Sequence, residues 1–118
     1  MILDNIDGVL AEVLSLNGAL AASVIDWKSG MTLGMKNNSN FDIELASAGN
    51  SEVVKAKMAT MRSLGLQGGI DDILITLSDQ LHIIKMVPSA PELCVYLALD
   101  ANKANLALAR NKLQTIIK

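Results

Sequence analysis

Apolar residues recur along the chain with two different periods, and the switches between them outline the elements. Leu3, Ile6, Val9/Leu10 and Val13/Leu14 repeat at helical spacing, while Asp4, Asp7 and Glu12 fall off that stripe. A first helix is predicted there. Asp4 and Asp7 suit its positive end, and Asn17-Gly18 stops it. Residues 19–26 then alternate, with Leu20, Ala22 and Val24 on one side and Ala21, Ser23 and Ile25 on the other. Neither side is charged before Asp26, so this strand is expected to be covered on both faces. Trp27-Lys28-Ser29-Gly30 makes a turn, residues 31–36 return as the second strand of a hairpin, and Asn37-Asn38-Ser39-Asn40 is a polar loop.

The longest regular segment, residues 42–64, has a helical period and ends in Gly65-Leu66-Gln67-Gly68-Gly69. Three strands are predicted over 72–78, 81–87 and 93–100. Asp79-Gln80 turns between the first two, and Pro88-Ser89-Ala90-Pro91 forces a loop before the third. Residues 102–117 close the chain as a helix with Leu106, Ala109, Leu113, Ile116 and Ile117 on one stripe. The order is α-β-β-α-β-β-β-α. No strand–helix–strand alternation favours a parallel sheet, so the expectation is an α+β fold, a five-stranded antiparallel sheet with helices on both faces. The 118 residues are expected to form one domain over 1–118, without linker or repeat.

The middle helix carries more apolar and small residues than one core requires. On a wheel, Ile43, Ala46, Val53, Val54, Met58, Met61 and Leu64 gather on one broad side, expected to lie on the sheet. Glu44, Lys55 and Arg62 form a narrow charged line. Beside that line run Leu45, Gly49, Ala56, Thr60 and Ser63, with Ala48 and Ala59 near by. Glycine inside a helix costs about 1 kcal/mol relative to alanine. A seam of small residues lets a second helix approach closely, and a two-fold axis is the commonest way to supply one.

Composition narrows the functions. Aromatics make up only 3% of the chain, so the core must be aliphatic. A net charge of −2, a pI near 5.2 and just two arginines, Arg62 and Arg110, argue against a nucleic-acid partner and an electrostatic membrane anchor. No apolar run approaches the roughly 20 residues of a membrane span, and the start of the chain lacks a basic leader, so a cytosolic location is expected.

Candidate chemistry is sparse. The one cysteine, Cys94, can form neither an internal disulfide nor a zinc site, and a buried thiol is expected. His82 lies in a strand with no nucleophile motif near it and reads as structural. The glycine-rich stretch after the middle helix lacks the Gly-Lys-Ser/Thr of a phosphate loop. Asp71 and Asp72 point to opposite faces and read as the solvated start of a strand. Lys55 and Glu52 lie one turn apart and could pair. No metal, cofactor or enzymatic activity is expected.

Three stretches resemble the roadblock-type (dynein light chain) domains. Gly18-Ala19-Leu20-Ala21-Ala22-Ser23-Val24-Ile25-Asp26, with Gly30 and Leu33, is similar to that family's opening hairpin. Leu64-Gly65 through Gly68-Gly69, then Ile73-Leu74-Ile75, is similar to its helix exit and third strand. Asn105-Leu106-Ala107-Leu108-Ala109-Arg110 resembles its final helix, with Ala107 where the family often has glycine. The resemblance, closest to prokaryotic gliding and polarity regulators, spans essentially the whole chain.

It implies a non-enzymatic homodimer joined through the middle helix and the third strand, adding Ile73 and Ile75 to the seam of Leu45, Gly49, Ala56, Thr60 and Ser63. It also implies a platform for a small Ras-like GTPase, which could read the rim of Glu44, Lys55 and Arg62. Two alternatives stand beside this one. The first is an adaptor in a motor or signalling complex. The second is a small-ligand sensor, for which His82, Thr76 and Tyr96 are the only candidate polar groups.

Overall fold

Two strands have no charged residue except at their last position, and both end up in the interior of the sheet. The computed structural model describes residues 2–118. A 3₁₀ turn (Ile2–Asp4) leads into α1 (Ile6–Leu14), β1 (Ala19–Asp26), β2 (Met31–Asn37), α2 (Ile43–Ser63), β3 (Asp72–Thr76), β4 (Gln80–Met86), β5 (Leu93–Asp100) and α3 (Leu106–Ile116). The strands pair antiparallel in the order β2-β1-β5-β4-β3, with α1 and α3 on one face and α2 on the other. The fold class and element order are those expected from the pattern of the chain.

The alternation along β1 and β5 makes two cores. Ala22, Val24, Val95, Leu97 and Leu99 meet Leu10, Val13, Ala109 and Leu113 of α1 and α3. Ala21, Ile25, Cys94, Tyr96 and Ala98 meet Ile43 and Val54 of α2. α1 packs directly on both β1 and β2, and on β2 it passes close over Gly34, where a Cβ would lie 2.5 Å from Cγ2 of Ile6. Burial pushes the Cys94 thiol up to about 12, with the charge of Asp26 adding to it. A thiol so placed is protonated and unreactive at neutral pH.

Element ends follow side-chain capping rather than apolar period. The first helix begins four residues after the 3₁₀ turn opens, because Asn5 caps it by accepting from the Gly8 amide. Asp42 does the same for α2 through the Leu45 amide, and Gly65 at φ +71° ends it. The last helix was expected from residue 102 and starts at Leu106. The Asp100 carbonyl and carboxylate first hold a turn through the amides of Asn102, Lys103 and Ala104, and Asn105 then caps the helix. β3 was expected to run to residue 78 and stops at Thr76, because Leu77 already bonds to the Gln80 carbonyl across the turn. Ala107 is exposed, so its methyl displaces nothing.

Candidate interaction surface

The face α2 turns to the sheet is more polar than its wheel suggested. Ile43, Ser47, Asn50, Ser51 and Val54 are buried, whereas Val53 and Leu64, expected in the core, are 37% and 67% exposed. The polar side chains are tolerated because the helix satisfies them itself. Ser47, Asn50 and Ser51 donate to the carbonyls of Ile43, Ala46 and Ala48, and the Ser47 and Ser23 hydroxyls meet at 2.7 Å. Ile43 and Val54 are the buried apolar residues of this face, with Ala46, Met58 and Met61 half-buried beside them.

The opposite face of α2 holds the seam. Leu45 is 71% exposed, and Gly49, Ala56, Thr60 and Ser63 are all exposed along one line. A Cβ built at Gly49 meets nothing within 4 Å, so no contact within the chain requires a glycine there. The Thr60 hydroxyl donates back to the Ala56 carbonyl, so it is satisfied within the helix. Of the charged line, Glu44 and Arg62 are exposed, and Lys55 is engaged with Glu52 at 3.3 Å.

Beside this helix the sheet is only partly covered. α2 packs closest on β1 and β2, at the far side of the sheet from β3. Ile73 and Ile75 sit on the α2 face of the edge strand β3 and remain half-buried, Ile73 against the cluster that includes Met58 and Ile70. Leu74, on the other face, is 39% exposed, and the outer edge of β3 pairs with no strand among the described residues. The structure thus places the exposed seam of α2 and a half-exposed apolar strip of an open edge strand on the same side of the molecule.

Of the two adjacent acids at the start of β3, one is placed as expected and one is not. Asp71 is exposed, but the Asp72 carboxyl is 8% exposed and accepts two bonds from the Arg110 guanidinium, at 2.8 and 3.1 Å. Asp72 is therefore no solvated strand start. It ties the edge strand to α3, and the pairing holds the Arg110 guanidinium above its ordinary range. Only tertiary structure brings positions 72 and 110 together, so the link had no signal in the order of residues.

Of the three sensor candidates His82 and Tyr96 meet, in a pairing that is itself part of the packing, and Thr76 lies apart from them. His82 lies between Phe41 and Tyr96, edge-on to each, at 5.9 and 5.4 Å between ring centres. Its Nε2 donates to Oε1 of Gln80 at 2.8 Å, and its Nδ1 accepts from the Tyr96 hydroxyl at 3.2 Å. Desolvation lowers the His82 pKa, and burial pushes the Tyr96 hydroxyl up to about 12 despite a bond to Asn50. Both rings are occupied by structural partners. Thr76 is exposed on the other face of the sheet. Among the described residues no cluster of three or more His, Cys, Asp or Glu could hold a metal, and no helix is long and apolar enough to cross a membrane.

This architecture is shared with solved structures. MglB of Myxococcus xanthus superposes with a TM-score of 0.80 at 14% identity, over 94% of this chain and 80% of that one. A roadblock/LC7 domain from Streptomyces avermitilis gives 0.79 at 10% identity, over 94% and 90%. An MglB solved in a tetrameric arrangement gives 0.78 at 18% identity, over 94% and 81%. No sequence-family model matches the chain, and no curated protein matches it in sequence.

Proposed function

Given a chain that shares the fold of roadblock/LC7 domains, we propose that it is a non-enzymatic homodimeric regulator or scaffold for a small Ras-like GTPase. The observation that carries the dimer is the outer face of α2. The 21-residue helix exposes Leu45 and Val53, and its C-cap Leu64, beside a line of Gly49, Ala56 and Ser63 that is exposed among the described residues. Monomeric surfaces seldom leave such a contiguous patch open. A two-fold mate would lay its own α2 along that line and over the strip of Ile73 and Ile75, while β3 met β3 to extend the sheet.

The GTPase half of the reading rests on the resemblance and on the fold shared with MglB. A two-fold dimer would present two charged lines, Glu44 and Arg62 from each copy, along the rim of the joined helices. Such a platform acts on a GTPase by holding its switch segments in one arrangement, without chemistry of its own. Pull-down of purified small GTPases, each loaded with GDP or with a GTP analogue, tests this. Retention of one nucleotide state supports the proposal, and loss of retention in Arg62→Glu supports the rim as the contact. Failure of both states to bind across a panel of such GTPases counts against it.

A further inference from the structure

The cationic end of α2 adjoins a depression that the sequence did not single out. About 360 Å³ lies between the end of α2, the β1–β2 turn and the β4–β5 loop. Its floor is apolar: Trp27, Met58, Met61, Leu66 and Pro91. Leu66 is 57% exposed at the edge of this depression. Methionine side chains adapt to irregular apolar partners.

The charge around this floor has one sign. Lys28 and Arg62 are the only charged residues of the lining. Neither has a carboxylate partner: among the described residues the ion pairs are Lys55 with Glu52 and Arg110 with Asp72, apart from an interaction of Asp4. The Lys28 ammonium rests over the Trp27 ring at 5.7 Å. The nearby Asp26 carboxylate is turned away into the hairpin turn, accepting from the amides of Lys28 and Ser29 at 3.1 Å each. In a chain of net charge −2, two unpaired cations bracket one apolar hollow.

We propose that this hollow docks an acidic, apolar segment of a protein partner: a bulky apolar side chain on the Trp27–Met58–Met61 floor, with carboxylates before and after it on Lys28 and Arg62. The proposal rests on the reading of the domain as a platform for partners, and it adds the chemistry of what the platform grips. Electrostatic complementarity of this kind sets the choice of partner and the association rate more than the final affinity.

Trp27 is the only tryptophan of the chain and lies in the floor, with its indole N–H held by the Pro91 carbonyl at 2.8 Å, so its fluorescence reports the site directly. The probe is a capped hexapeptide with Leu-Phe between two Asp-Glu pairs, titrated into the full chain. Saturable change in Trp27 emission is expected. Replacing the acids of the peptide with lysines, or its Leu-Phe with Ser-Ser, should each weaken binding at least about tenfold, as should Lys28→Glu combined with Arg62→Glu. Both side chains are exposed, so the double variant should keep its fold, checked by circular dichroism.

No emission change, equal binding of acidic and basic peptides, equal binding of the Ser-Ser peptide, or unaltered binding by the double variant would each overturn the proposal. A sizing column run on the same samples separates the two readings. A dimer that ignores the peptide overturns the docking site alone, and a monomer that binds it overturns the dimer alone.

Discussion

Gly49 occupies the interior of a 21-residue helix with open space where its side chain would be. In an isolated subunit it has a cost and no return. Gly49→Ala in an Ala56→Glu background, where the seam is blocked by charge, should therefore raise stability by about 1 kcal/mol in urea denaturation. A loss of stability would mean that the glycine serves the fold and not a partner. His82 gives a second test at this scale. Its folded pKa lies below the ordinary 6.5, so the unfolded chain binds the extra proton first as pH falls. Its contribution to stability is complete above about 6.5 and is lost as pH falls from there through the folded pKa. His82→Gln should remove that part of the acid sensitivity, read as a flatter dependence of the unfolding midpoint between neutral and mildly acid pH.

Within elements, the apolar period located every helix and strand, and side-chain capping decided where the three α-helices began. The exposed seam was legible because it needed only the wheel: Leu45, Gly49, Ala56, Thr60 and Ser63 are all outside. The inner face was misread because Ser47, Asn50 and Ser51 look solvent-facing in sequence. Their burial is tolerated because each hydrogen-bonds to a carbonyl of its own helix, while Val53 and Leu64 lie outside the buried face. The Asp72–Arg110 link and the hollow at Trp27 were not legible at all, since each joins segments far apart in the chain. The link anchors an edge strand that otherwise pairs on one side only. Asp72→Asn should therefore speed amide exchange in β3 while leaving β1 and β5 unchanged. Equal loosening of all strands would contradict a local role.

For the molecule as a whole, two cores on one sheet leave the α2 side unevenly covered, with the helix over β1 and β2 and an open strip toward β3. This asymmetry is what a second copy would complete, and a dimer formed in that way would make stability depend on concentration. The thermal midpoint of the wild-type chain should rise as the protein is concentrated, and that of Ala56→Glu should not.

Sedimentation equilibrium of the wild-type chain and of Ala56→Glu, side by side, is the most direct measurement of the central claim. The account predicts a mass twice that of the 12.5 kDa chain for the wild type and the single-chain mass for the variant, with native circular dichroism in both. A monomeric wild type, or a variant that sediments as the same dimer, would contradict it.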